Sequence, residues 1–308
     1  MLTYRSTFRT PEGQARYLAA YDATLARWPV RVESFDVPTR FGTTHINACG
    51  PETAPPLLLL HGLAISSTMW YPNVADLSRS CRLYALDTIG DKGKSVCTRS
   101  LLSRSDFVDW LIDVLSELRL DQTDVAGMSY GGFLALNFEL SAPDRVSRLV
   151  LLAPAASLLR FAPQFWMRMM AVTLLPDRLL PLAVKRWLYV LPKGNGAPAV
   201  QQFLVRTDFR GDYNVFPPVY SDDELRQIRA PTLLLLGDRE VIYDPRAALK
   251  RALDLIPNIE AEIIPGAGHP LTLEQPEIVN ARILAFLARE RRVCGNSTAQ
   301  PASRRATG

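Results

Sequence analysis

Cysteine is scarce in this chain, and its four copies, Cys49, Cys81, Cys97 and Cys294, are widely spaced with no C-x-x-C pair. That spacing rules against a disulfide framework, a zinc site and a thioredoxin-like dithiol, and it leaves the cysteines as free core thiols. Long hydrophobic runs are missing too. The most apolar stretch, Ala171 to Pro192, is broken by Asp177, Arg178, Lys185 and Arg186 and by two internal prolines, which prevents it from spanning a bilayer. It reads instead as amphipathic helices with an apolar face. No apolar run near the N-terminus has the form of a signal peptide, so the cytoplasm is the expected location.

Charge of one sign is also lacking. The formal net charge is +4, and Arg289, Arg291, Arg292, Arg304 and Arg305 against Glu290 already account for it. The body is therefore near neutral. Without a basic stripe there is no electrostatic footprint for nucleic acid. What is present is apolar: 48% of the 308 residues are hydrophobic and 21% charged, enough to bury a large core.

Residues 12 to 27 carry apolar positions at helical spacing, and two short alternating runs, Arg31 to Val37 and Thr43 to Cys49, predict a hairpin at a sheet edge. Beyond Gly50-Pro51 the pattern changes. Leu57 to Leu60, Leu83 to Leu86, Leu149 to Leu152 and Leu233 to Leu236 are continuous apolar runs of strand length, as in strands covered on both faces. Helical patterns lie between them, notably Phe107 to Leu118 and Phe133 to Leu140. Such alternation predicts an α/β protein with a mostly parallel central sheet covered by helices on both faces.

The alternation stops after Ala153-Pro154 and resumes at Ala230-Pro231. The intervening stretch holds an aromatic and Met-rich segment, Phe161 to Met170, an apolar segment, Leu179 to Leu191, and a polar turn, Lys193 to Gly196. It is expected to form a helical cap that supplies no strand. The predicted organisation is a core of residues 1–154 and 222–294, a cap of residues 155–221 inserted after the sixth strand, and a disordered tail of residues 295–308 rich in Ser, Thr, Pro, Ala and Arg.

The strongest local signal is Gly127-Met-Ser129-Tyr-Gly131, which fits G-x-S-x-G between an apolar strand and a helical pattern. In that motif the serine sits on a crowded strand-to-helix turn, and the small residues two before and two after let the flanking segments pass. Ser129 Oγ is then lifted to the N-terminus of a helix, where backbone N–H groups favour developing negative charge. A serine hydroxyl needs a base. The chain has three histidines. His45 lies in the early hairpin, and His61 closes a strand and is expected to shape the turn after it. His269, in a flexible loop after the predicted strand Ala261 to Ile264, is placed to reach Ser129.

A third group must hold the imidazole in the right tautomer and offset its charge. The loop after Leu152 has no acid, whereas the loop after Leu236 offers Asp238, Glu240 and Asp244. Glu240 is favoured because it lies far enough beyond the strand to point back over the sheet. Asp244-Pro245 resembles a helix N-cap followed by proline at the first helical position. The order Ser, acid, His is that expected of α/β-hydrolases. Oxyanion donors are expected from the backbone N–H of Tyr130 and, beyond the His61-Gly62 turn, the N–H of Leu63. Ser66 and Ser67 read as the start of a helix cap.

These segments, with Ser66-Ser-Thr-Met-Trp-Tyr-Pro-Asn73, Ile89-Gly-Asp-Lys92, Glu240-Val-Ile-Tyr-Asp-Pro245, Ala267-Gly-His269 and Glu274-Gln-Pro276, resemble the α/β-hydrolase superfamily and within it bacterial carboxylesterases of the naproxen-esterase type. The resemblance implies the α/β-hydrolase fold and a glutamate acid at the position of Glu240. The cap matches least. Tyr130 stands where the related esterases tend to carry an aliphatic residue.

Gly93-Lys-Ser95 looks like the end of a P-loop, but Thr88 occupies the position of the required earlier glycine, which argues against ATP use. Asp87 and Asp91 read as loop-shaping acids. The expected activity is hydrolysis of carboxylic esters of small molecules with an apolar or aryl acyl part, through an acyl-enzyme and with no metal or organic cofactor. Phe161, Phe165, Trp166, Met167 and Met170 are expected to line the acyl pocket. Other acyl-transfer uses of the same three side chains (thioesterase, lactonase, perhydrolase, natural-product hydrolase or cyclase) and a silent small-molecule binder are the alternatives. Oligomeric state is left open.

Overall fold

The continuous apolar runs become the centre of a nine-stranded sheet in a computed structural model, which describes residues 7–174, 179, 202, 209–211 and 214–289. Strand β4 (Pro56–Leu60), β5 (Arg82–Leu86), β7 (Thr123–Met128), β8 (Val146–Leu152), β10 (Thr232–Gly237) and β11 (Ile259–Ile264) run parallel, in the spatial order β11-β10-β8-β7-β4-β5. The side chains of Leu57 to Leu60, Leu149 to Leu152 and Leu233 to Leu236 are all fully buried. Helices on both faces explain why these strands read as unbroken apolar runs.

The expected hairpin extends the sheet as β2 (Glu33–Thr39) and β3 (Gly42–Cys49), paired antiparallel with Phe35 opposite Ile46. β3 also runs antiparallel to β5, and the two-residue β6 (Val96–Cys97) pairs with its start. The alternating sequence of β2 follows its place at the edge: only Val37 in it is buried.

Helix α1 (Pro11–Leu25) begins where Thr10 Oγ1 accepts the Gly13 N–H, with proline at the first helical position. α3 (Arg104–Glu117) starts three residues earlier than its apolar pattern, because Ser103 and Asp106 form a capping box. α4 (Tyr130–Ser141) follows β7 directly and is buried along nearly its whole length. The remaining helices that position the site are α2 (Val74–Leu77), α5 (Pro163–Leu174), α6 (Asp222–Arg226), α7 (Pro245–Leu255), α8 (Leu271–Glu274) and α9 (Pro276–Leu287).

The cap differs from expectation in two respects: it follows the eighth strand and not the sixth, because the two-residue β1 (Thr7–Phe8) and β6 leave no pattern in the sequence, and it is not free of strands. A two-residue strand, β9 (Phe209–Arg210), pairs antiparallel with β1 (Thr7–Phe8), so the inserted stretch does supply a strand. Two residues carry no periodicity, and the Phe8–Phe209 ring contact at 5.0 Å that accompanies the pairing is a tertiary event. The turn at Lys193 to Gly196, nearly all of the Leu179 to Leu191 segment, Cys294 and the tail of residues 295–308 lie outside the described residues. Cys49, Cys81 and Cys97 are buried. Burial pushes the Cys49 thiol up to about 12, which leaves it protonated and unreactive. Among the described residues no helix is long and apolar enough to cross a membrane.

At the amino rim of the sheet, Arg148 at the start of β8 forks onto Asp124 of β7, with Nε to Oδ1 at 2.9 Å and Nη2 to Oδ2 at 2.5 Å. The same guanidinium donates to the carbonyls of Leu287 and Arg289 at the end of α9. Both side chains are nearly inaccessible, at 7% and 0% exposure, so removing one partner strands a buried charge. Asp124→Ala is expected to lower unfolding stability by about 3–5 kcal/mol, read from urea denaturation.

Candidate active site

Ser129 stands between β7 and α4 with φ 55° and ψ −114°, a left-handed backbone that non-glycine residues adopt only when the surroundings hold it there. The surroundings do so by crowding. A Cβ on Gly127 would stand 2.1 Å from the Gly131 carbonyl oxygen, and one on Gly131 would stand 2.2 Å from that of Leu60. The Ser129 N–H donates to the Leu152 carbonyl, and the Ser129 carbonyl accepts from Phe133 and from Ala155. The elbow is thereby fixed to the strand on its flank and to the first residues after β8.

His269 follows β11 on the segment Pro265 to His269. Its Nε2 lies 2.8 Å from Ser129 Oγ and its Nδ1 lies 2.8 Å from Glu240 Oε2. Glu240 Oε1 accepts the N–H groups of Val241 and Ile242 at 2.8 and 2.9 Å. A carboxylate that accepts on both oxygens requires Nδ1 to be the donor, so Nε2 is the lone-pair nitrogen facing the serine hydroxyl. The Glu240 side chain is 0% exposed and that of His269 6%, so their interaction is shielded from water. Tyr243, three residues on from Glu240, is buried. Burial, and then the charge of Glu240, push its phenol well above the ordinary tyrosine range, so it stays neutral.

The other two acids of the loop lie elsewhere. Asp244 caps α7 by accepting from Arg246 and Ala247, as its Asp-Pro signature predicts. Asp238 is exposed. His45 pairs through Nδ1 with Asp36 in the hairpin at 2.6 Å. His61 shapes its turn: its Nε2 accepts from Thr88 N–H, which leaves Nδ1 to donate to the Gly62 carbonyl.

Gly62 packs against the elbow, where a Cβ on it would lie 3.5 Å from Ser129 Cβ. Leu63 follows Gly62 directly in the chain, and Tyr130 is the first residue of α4. Ala64, next in the chain, has φ 62°, and its N–H is held by Asp91 Oδ2 at 2.8 Å. The other Asp91 oxygen accepts the Lys92 N–H at 2.7 Å. Asp87 is fully buried and accepts from Ser67 N–H, Ser67 Oγ and Lys94 N–H. Ser66 Oγ contacts Thr68 Oγ1 and donates to Gln202 Oε1, a fully buried cap residue. The sequence marks both acids as loop-shaping; their link to the turn beyond His61 emerges only from the three-dimensional arrangement.

The cap meets the elbow through Tyr130, whose hydroxyl donates to the Val215 carbonyl at 3.1 Å. It meets the acid loop where Ala162 N–H donates to the Ile242 carbonyl. Between these anchors Phe161 stacks on Phe165 at 5.3 Å and meets Trp166 and Phe216 edge-on, each at 5.5 Å. Met167 and Met170, grouped with them by sequence, are largely exposed at 66% and 62%, and Trp166 and Phe216 are open to solvent at 48% and 59%. Among the described residues no group of three or more His, Cys, Asp or Glu side chains could hold a metal.

The model of the Alpha/beta hydrolase family matches residues 57–282, and the chain belongs to that family. Among its relatives, carboxylesterase YbfK of Bacillus subtilis is 42% identical over 287 residues, which is 91% of this chain and 96% of that protein. The crystal structure of naproxen esterase (carboxylesterase NP) from B. subtilis is similar at a TM-score of 0.84 and 42% identity, over 91% of this chain and 99% of that one. That of carboxylesterase CesB (YbfK) from the same organism gives a TM-score of 0.82 at 41% identity, over 90% and 99%.

Proposed function

We propose that this protein is a serine carboxylesterase that hydrolyses small-molecule esters with an apolar or aryl acyl part. The observation that carries the reading is the unbroken relay of two 2.8 Å contacts from Ser129 Oγ through His269 to Glu240. The carboxylesterases among its relatives support it. Ser129 Oγ attacks the ester carbonyl carbon as its proton passes to His269 Nε2, and Glu240 offsets the charge of the imidazolium. The N–H groups of Leu63 and Tyr130 receive the oxyanion. Collapse of the tetrahedral intermediate breaks the bond to the alkoxy oxygen, which leaves as alcohol with the proton from His269. Water, deprotonated by the same nitrogen, then attacks the acyl carbon; the bond to Ser129 Oγ breaks as His269 returns the proton to that oxygen, and the acid is released.

The aromatic group Phe161, Phe165, Trp166 and Phe216 lies between the cap's contacts with the elbow and with the acid loop, a position suited to an apolar acyl chain. A panel of p-nitrophenyl and aryl-alkanoate esters, run beside fluorophosphonate labelling, tests the proposal. The expected result is labelling at Ser129 and a preference of about tenfold or more for aromatic over charged acyl groups. An unlabelled, inactive protein would make it a binder, and faster turnover of charged acyl groups would overturn the assignment of the pocket.

A further inference from the structure

A second carboxylate stands behind the histidine loop, and the relay described above does not use it. Glu274, the last residue of α8, directs Oε2 back at the N–H of Gly268, 2.5 Å away, the residue immediately before His269. Its other oxygen, Oε1, is buried with no hydrogen-bond partner among the described residues. The loop it holds is clamped from the opposite side as well. The Arg239 N–H donates to the Ala267 carbonyl at 2.9 Å, and a Cβ on Gly237 would stand 2.4 Å from the carbonyl oxygens of both Ala267 and Gly268. Residues 267 and 268 are thus pinched between the end of β10 and the Glu274 side chain.

We propose that Glu274 is a positioning residue for the base: its Oε2 fixes the loop that carries the imidazole, and its charge acts as a second carboxylate supporting the imidazolium. This rests on the reading of His269 as the base. A half-buried acid with an unpartnered oxygen is a costly choice for a purely mechanical clamp, since a neutral acceptor would hold the Gly268 N–H equally well. The charged groups acting on Glu274 are consistent with the second role. Burial pushes its carboxyl up to about 7, against the Gly268 N–H and the nearby charges of His269 and Arg239, which favour ionisation, while Glu240 disfavours it. Of the elements packed on α8, the turn Ser67–Trp70 has no ionisable side chain, and Glu277 in the first turn of α9 is exposed. Glu274 therefore changes charge near neutrality, where His269 must cycle between neutral and protonated forms.

The sign of the effect follows. A carboxyl supports a neighbouring imidazolium only when ionised, so the support from Glu274 sets in as the pH rises through about 7; removing the group takes that step out of the kcat/KM profile and moves its acid limb to lower pH. The same support is lost when the imidazolium forms in the transition state, so the plateau falls. Glu274→Gln keeps an acceptor for the Gly268 N–H; it is expected to shift the acid limb down by about 0.5–1 pH unit and to reduce kcat about 3–10-fold. Glu274→Ala also loses the acceptor and is expected to lose more of kcat, with Gln rescuing the difference.

A Glu274→Gln profile superimposed on that of the wild type would overturn the proposal, whatever happens to Tm. If neither variant folds, the wild-type protein still decides it. Its His269 ring resonance, one of three histidines, is expected to register a second inflection as the Glu274 carboxyl titrates, and a single-step curve would overturn the proposal. Failure of the underlying reading has a different signature, namely ester turnover that persists when Ser129 is replaced.

Discussion

Ser129→Ala is expected to lower kcat/KM for a p-nitrophenyl ester by on the order of 10³-fold or more, with unchanged circular dichroism and Tm. The magnitude follows from what remains after the change. The backbone at the elbow is fixed by Gly127, Gly131 and the bond from Ser129 N–H to Leu152, none of which needs the hydroxyl. The proposed oxyanion donors, the N–H groups of Leu63 and Tyr130, stay in place, so the variant keeps transition-state stabilisation and loses only nucleophilic attack. Residual turnover by direct water attack is then small but finite. Turnover equal to wild type in a pure preparation, measured with the same ester, would remove Ser129 from the mechanism.

Glu240→Gln is expected to reduce kcat by about 10³–10⁴-fold with KM little changed. The amide is nearly the size of the carboxylate, and the loss is one of proton bookkeeping. The N–H groups of Val241 and Ile242 both point at Oε1, so a glutamine turns its carbonyl oxygen toward them and presents its NH₂ to His269 Nδ1. A donor at that place selects the tautomer with the proton on Nε2. That nitrogen faces Ser129 Oγ at 2.8 Å and then cannot take the proton. The pre-steady-state burst with a p-nitrophenyl ester measures this acylation step directly. A variant that retained wild-type burst rates would show that the acid is not needed to set the tautomer.

Much of the sheet can be read from the chain because buried parallel strands must be apolar on both faces, and Leu57 to Leu60 or Leu233 to Leu236 have no other simple reading. The elbow at Ser129 is legible for a steric reason: Gly127 is required where β7 passes the Gly131 carbonyl, and Gly131 where α4 passes that of Leu60. Glu240 required more, since Asp238 and Asp244 share its loop, and Asp244 is set apart only by the proline after it. Glu274 and Asp91 are harder still. Each acts on a backbone N–H brought close by folding, Gly268 from six residues away and Ala64 from 27. No spacing rule marks such partners. The pairing of β1 with β9 is invisible for a related reason, since two residues are too few to show a period.

The fork of Arg148 on Asp124 has a practical corollary. It ties the carbonyls of Leu287 and Arg289 to the starts of β7 and β8, whereas Ser129 lies just past the far end of β7. Arg289 therefore stands at the end of the sheet opposite Ser129. A resin, electrode or fusion domain joined at that end would hold the protein from the side away from Ser129.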